Sequence, residues 1–333
     1  MEPDSTRTAP QPTLRTIAFM TGLGVSTVSR ALKDGPEISL DTRARVKLVA
    51  RQIGYRPNRA GVRLKTGKTN VIAVVLNASE DSSGFFSDFV YGISDALAGT
   101  AYHLVVTPYS YADPMAPVRY IVETGSADGV ILSRIQPDDA RVRYLAEHGI
   151  PFATHGRTEM DVVHPFHDFD NEAFAHRAVA MLAARGRRRI ALLGPAAGLT
   201  YHKHINLGFE RGIRDAGATA VPLGSLDSDA TLPDIRDRLG ELARNGTAPE
   251  GIVASGLGAV FAAVAGLEGA GLRVGRDFDV VTKHATELLA MLQPGVMAIP
   301  ENFRAAGADC ARMVVAWIAG QDPAALRCLV EPG

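Results

Sequence analysis

Ser26, Thr27, Ser29 and Arg30 sit within one short segment, VSTVSRAL, whose apolar residues Val25, Val28 and Leu32 recur at helical spacing. Small hydroxyls and one guanidinium on the open side of a helix are groups that can contact a polyanion and read base edges. Arginine in particular can pair with guanine O6 and N7 in a major groove. Other residues suggest other chemistries. His202-Lys203-His204 and His164-Pro165-Phe166-His167 invite a metal, but no cysteine lies near either and no HExxH or acid-containing zinc spacing accompanies them. Histidines that line a cleft or face solvent account for both, so no metal is expected. Gly256-Leu257-Gly258 has the first part of a dinucleotide-binding fingerprint, yet Phe261 stands where the third glycine would be. No G-x-S-x-G elbow occurs. No catalytic residue and no cofactor are expected, and an enzyme reading rests on fold analogy alone.

The elements that would position the Ser/Thr/Arg segment form a small helical module. Leu14, Ile17, Ala18 and Thr21 give a first amphipathic helix that Thr13 can cap, and Gly22-Leu23-Gly24 interrupts it. Ser39 can cap a third helix, with Asp41 in its first turn, an apolar stripe of Val46, Val49, Ala50 and Ile53, and Gly54 as its stop. Two short helices across a glycine-containing turn, with a third behind, make a helix-turn-helix.

Charge supports the same partner. The chain has 333 residues and a net charge of −1, which taken whole argues against nucleic acid. Residues 13–68 carry twelve Lys or Arg against three acids, a net of +9, while residues 1–12 hold −1 and residues 69–333 hold −9. A small cationic module on an anionic body fits a polyanion at one end only. Two cysteines, Cys310 and Cys328, are too few for a disulfide framework, so a reducing cytoplasm is expected. Met1 to Pro12 is polar and proline-bearing, unlike a signal peptide, and is expected to be a disordered tail. No apolar run approaches the roughly 18 residues a membrane span needs.

From Asn70 onward, short β-branched runs alternate with helical patterns. Strands are expected at 71–76, 104–106, 129–132, 151–154, 190–193, 251–254 and 278–281, and helices at 85–97 and 173–184. The alternation predicts doubly wound α/β layers, and the length predicts two lobes with a ligand cleft at the strands' carboxyl ends. Arg187-Arg188-Arg189 reads as a surface turn before a strand.

The segment TLRTIAFMTGLGVSTVSRALKDGPEISLDTRARVKLVARQIGYRPNRAGVRLKTGKT resembles, without a gap, the headpiece and hinge of the lactose-repressor/galactose-repressor (LacI/GalR-type) family of bacterial transcriptional regulators. VSTVSRAL and GYRPNRA are its most specific parts. The resemblance continues at lower identity through GFFSDFVYGISDAL, ADGVILS and DNEAFAHRAVAMLAARGRRRIALLG, to about residue 330. It implies an N-terminal all-α helix-turn-helix headpiece plus an α/β core of two doubly wound parallel-sheet lobes, periplasmic-binding-protein-like. The divisions would be a tail over 1–12, the headpiece over 13–57, a hinge helix or linker over 58–69, and an effector-binding, dimerising core over 70–333. Base-reading positions fall on Val25, Ser26 and Arg30, and phosphate-contacting positions on Thr27 and Ser29, with Thr13, Tyr55, Asn58 and Arg59 joining the DNA-contacting set. Leu64 takes the place of the leucine that wedges between base steps. Gly24 replaces the serine usual before the recognition helix, and Gly61 replaces a hinge alanine.

The resemblance further implies a palindromic operator bound by a homodimer, and repression controlled by a small-molecule effector, a sugar or sugar derivative, held between the lobes. Cleft positions by alignment are Phe85, Phe86, Ser133, Arg157, Asp170 and Asn171. Three positions depart from the family pattern. Ile205 replaces an arginine, flanked by His202, Lys203, His204 and Asn206; an aspartate is missing at Ser255; and Thr282-Lys283-His284 replaces Gly-Phe-Asp. His202, His204, Asn206, Ser255, Lys283 and His284 thereby become effector candidates, offering cations and imidazoles where carboxylates are customary. The cleft either takes an unusual effector or no longer binds one tightly. No heptad segment follows Cys328-Leu329-Val330, so a dimer is expected rather than a tetramer.

Overall fold

The computed structural model describes residues 12–55, 67–77, 85–109 and 112–333, and the chain divides into two compact units between Thr69 and Asn70. In the first unit, Thr13 caps α1 (Leu14–Thr21) reciprocally: the Thr13 hydroxyl accepts from the Thr16 amide, and the Thr16 hydroxyl accepts from the Thr13 amide. Gly22, at φ +69, ends that helix with a left-handed cap. Next come α2 (Val25–Leu32) and α3 (Leu40–Gln52), the latter capped by Ser39. Ile17, Ala18, Val28, Ala31, Val46 and Ala50 close the core between them. Arg45 donates to the Thr21 carbonyl at 2.7 Å, tying α3 to the carbonyl end of α1 where a cation is favoured.

The second unit opens with β1 (Val71–Asn77), α4 (Phe85–Leu97), β2 (His103–Tyr109), α5 (Ala116–Thr124), β3 (Gly129–Leu132), α6 (Ala140–Glu147), β4 (Phe152–His155) and β5 (Phe166–Phe169). Then follow α7 (Asn171–Ala184), β6 (Arg189–Leu193), α8 (Thr200–Ala216), β7 (Thr219–Ala220), α9 (Leu232–Arg244), β8 (Gly251–Ala254), α10 (Leu257–Gly269), β9 (Asp279–Thr282), α11 (Glu287–Leu292) and β10 (Met297–Ala298). Last are α12 (Phe303–Ile318) and β11 (Arg327–Val330). Among the described residues the strands form two parallel sheets, ordered β11-β5-β4-β3-β1-β2 and β10-β9-β8-β6-β7. The chain passes from the first lobe to the second between Phe169 and Asn171 and returns between Ala298 and Phe303. Central strands such as β3 and β8 are buried along their whole length, as a sheet covered on both faces requires.

Every expected strand is present. Four others, β5, β7, β10 and β11, were not expected, and α7 begins at Asn171 rather than at 173 because Asp170 caps it by accepting from the Ala173 amide. The helices that cover the sheets meet backbone to backbone at glycines. A Cβ on Gly92 would overlap the Arg304 carbonyl, and one on Gly307 the Phe89 carbonyl, so α4 and α12 approach through a reciprocal glycine pair. Gly208 stands likewise against Glu172, and Gly266 against Arg236. Arg187 is not a free surface cation: it and Arg185 pair with the fully buried Asp279 at 2.6 and 3.0 Å, while Arg188 and Arg189 reach the Ala216 and Thr247 carbonyls.

Candidate functional site

In α2 the apolar face is spent on the core, since Val28 and Ala31 are fully buried. The other side is left open: Val25, Ser26 and Arg30 are exposed, and Thr27 and Ser29 are half-buried. Arg30 reaches Glu37 at 3.6 Å with both side chains about half exposed, a pair too solvated to hold the guanidinium against a better acceptor. Gly24 supplies no side-chain cap, so the amides of the first turn of α2 are left for an outside acceptor such as a phosphate. Thr13 has its hydroxyl engaged in the capping of α1. Tyr55 packs against the core, and burial pushes its phenol pKa up. Asn58, Arg59 and Leu64 lie outside the described residues, as does Gly61.

The second unit holds a cavity of about 580 Å³ between its lobes, at the carboxyl ends of the strands. His155 ends β4, Asp168 belongs to β5, Ser255 follows β8, and Lys283 and His284 follow β9. Glu301, on the return crossing, joins both sides: its carboxylate lies 2.7 Å from Lys283 Nζ and 3.0 Å from His155 Nε2. Lys283 also donates to Asn171 Oδ1 at 3.2 Å and stands 5.0 Å from the Tyr201 ring centre. Burial disfavours the Glu301 carboxylate, but Lys283 and His155 outweigh it and hold its pKa far below the usual range. Asp168 is the opposite case. Burial pushes its pKa up to about 6 although Arg157 Nε lies 3.1 Å away. Burial, with Lys283 beside it, lowers His284 to about 4, so this imidazole is neutral near pH 7. Its Nε2 faces the Ser255 carbonyl at 3.0 Å; that nitrogen carries the proton, and Nδ1 is left as an acceptor.

Several contacts close the cavity from lobe to lobe. Arg134, which has φ +53, pairs with Asp229; the Thr200 amide donates to the Ile135 carbonyl at 2.9 Å; and Lys203 meets Glu159 at 2.6 Å. Phe85, Tyr201 and Phe303 add aromatic surface to the wall.

Six of the twelve effector candidates line this cavity: Phe85, Arg157, Asn171, Ser255, Lys283 and His284. The other six do not. Phe86 packs at the edge of the core beneath α4, and Ser133 is buried with its carbonyl accepting from Arg141. Asp170 is occupied as the cap of α7. His202 Nδ1 faces the Pro195 carbonyl, Asn206 donates back to His202, and His204 is half-buried off the wall. Ile205 is fully buried in the core with α7. The departing positions do bring a cation and an imidazole to the wall in Lys283 and His284, but carboxylates from other positions accompany them. Asp168, Asp227, Asp229 and Glu301 all line the cavity, and Lys283 is already neutralised by Glu301. His164 bonds to the Val162 carbonyl and the Thr154 hydroxyl. Among the described residues, no helix is long and apolar enough to cross a membrane.

Residues 13–58 match the family described as "Bacterial regulatory proteins, lacI family", and residues 179–332 match the periplasmic binding protein-like domain. The HTH-type transcriptional regulator AglR of Rhizobium meliloti (strain 1021) is 31% identical over 318 residues, covering 92% of this chain and 88% of AglR. In fold, the chain is similar to the Lac repressor dimer bound to operator and the anti-inducer ONPF, with a TM-score of 0.83 at 19% identity over 97% of each chain. It is also similar to the transcriptional regulator CelR in its cellobiose complex, with a TM-score of 0.70 at 24% identity over 96% of this chain and 97% of CelR. With a recognition-type helix at one end, a ligand-sized cavity between two parallel-sheet lobes, and a full-length relative at this identity, the chain belongs to the LacI family of bacterial transcriptional regulators.

Proposed function

We propose that this protein is a cytoplasmic repressor that binds a palindromic operator as a homodimer and responds to a sugar or sugar derivative held between its lobes. The observation that carries the reading is α2, whose exposed Ser26 and Arg30 sit opposite a fully buried apolar face on a module of net charge +9. Residues 13–57 would dock in the major groove, with Val25, Ser26 and Arg30 reading bases and Thr27 and Ser29 contacting phosphate. Residues 58–69 would serve as the hinge, with Asn58, Arg59 and Leu64 at the minor groove, and residues 70–333 as the effector-binding and dimerising core.

The cavity supports a carbohydrate. Its volume lies within the range of small-molecule sites. Arg157, Asp168 and Asn171 offer hydroxyl partners of both kinds, and Phe85, Tyr201 and Phe303 offer apolar faces for the C–H side of a sugar ring. CelR, similar in fold, is described in complex with cellobiose. The test is affinity for the upstream DNA of its own gene across a salt series, with and without neutral mono- and oligosaccharides. Affinity should fall steeply with salt and exceed that for random DNA, and one sugar class should shift it. A flat salt dependence without sequence preference would remove the DNA assignment. Preference for the operator with uniform silence to sugars would leave a regulator of another effector, or of none.

A further inference from the structure

Behind the cavity wall, among residues that do not line it, three elements bring three donor side chains to one point. β11 pairs in parallel with β5, and the register sets Cys328 directly opposite His167. Residues opposed in this way project on the same side of the sheet. There α12 supplies Asp309, whose Oδ2 lies 2.9 Å from His167 Nδ1. One ligand atom from each of His167, Asp309 and Cys328 falls within 4.8 Å of the other two. His167 is buried while Asp309 and Cys328 are half-buried, so the point is both held and reachable from solvent.

We propose that the core binds one divalent cation of the zinc class through His167, Asp309 and Cys328. Imidazole, carboxylate and thiolate are the three donor types zinc takes, and three protein ligands leave a fourth position for water. Tetrahedral bonding at about 2.0–2.3 Å needs donors roughly 3.3–3.6 Å apart, so the His–Asp pair, now at 2.9 Å, opens slightly, and the thiol, within 4.8 Å of both, comes to the same range. The protons balance. The thiol releases one to solvent, the neutral imidazole moves its own from Nδ1 to Nε2, and the carboxylate contributes none. Arg312 donates to the other carboxylate oxygen of Asp309 at 2.5 Å, leaving Oδ2 to face His167. Cys310, on the same helix, is no ligand: it is buried with its thiol directed to the Thr154 carbonyl.

The location gives the cation a consequence. β5 is the last element before the outgoing crossing and α12 the first after the return, while β11 ends where the Val330 carbonyl accepts from the Asp170 amide at 2.8 Å. A bound ion would clamp all three at the base of the crossings, close to the cavity, since the His167 ring lies 6.2 Å from that of His155.

The test is a titration of the reduced, metal-stripped full chain with cobalt(II). One equivalent should bind, with a thiolate-to-cobalt charge-transfer band in the near ultraviolet, and zinc should displace it. Cys328→Ala should abolish the band, and Asp309→Asn should weaken binding by about tenfold or more. Circular dichroism should show both variants folded. Absence of a thiolate band from the native protein, or a band that survives Cys328→Ala, would overturn the assignment. Should Cys328→Ala fail to fold, the near-isosteric Asp309→Asn decides: unchanged cobalt affinity would refute the site.

Discussion

Lys283 Nζ stands 2.7 Å from Glu301 Oε2, and the two side chains are 8% and 3% exposed, so the floor of the cavity is a desolvated ion pair. Such a pair is costly to break from one side, because the survivor is left charged and buried. Lys283→Met should therefore lower stability by about 3–5 kcal/mol in urea unfolding. Adding Glu301→Gln to it should recover part of that loss. An unchanged midpoint in Lys283→Met would show that the pair does not hold the floor.

Arg134 and Asp229 approach from opposite lobes with side chains 10% and 31% exposed. If their pairing favours the closed cleft, each alanine variant should weaken effector affinity, and the double variant should be no worse than the poorer single one. The coupling expected from a double-mutant cycle is about 0.5–2 kcal/mol. Calorimetry with the responding sugar measures it, and strict additivity would show the pair to be incidental.

Asp168, raised to about 6 by burial, gives the cavity a pH dependence. For stability the sign is that of a raised carboxylic acid: its contribution is fully present below about pH 4 and is lost as pH rises through about 6. Effector binding runs the other way, because the ionised carboxylate is the stronger acceptor for a hydroxyl. Affinity should rise between pH 5 and 7 (roughly a unit either side of that value), and Asp168→Asn should flatten the profile. An identical rise in the variant would place the titrating group elsewhere.

Gly307 lets α12 touch α4. In an open helix, Gly→Ala stabilises by about 1 kcal/mol. Here the new methyl would overlap the Phe89 carbonyl, so Gly307→Ala should destabilise the core by about 1–3 kcal/mol. A melting temperature equal to or above native would mean that the helices separate at little cost.

What could be read in the sequence beforehand follows from where the information lies. The buried strands β1, β3 and β8 are continuous apolar runs, and α4 was expected over the residues it occupies. β5 escaped because Phe166-His167-Asp168-Phe169 breaks its apolar run with two polar residues, and those two carry much of the local chemistry. Lys283 stood out as an unusual cation, but Glu301, which neutralises it, lies 18 positions on with no local pattern to link them. His202, His204 and Asn206 flank the position where the family's arginine is replaced; the helix that carries them turns Ile205 into the core and leaves them off the wall. The three donors near Cys328 are joined by strand register and a packed helix, which spacing along the chain does not encode.

The cavity wall is divided between two bodies joined by crossing segments, so its volume depends on the angle between them. A ligand that fills it acts as a gauge. Two sugars with the same hydroxyl pattern but different girth would hold the lobes at different angles while satisfying the same polar partners. Girth alone could then separate a ligand that switches the protein from one that merely occupies it.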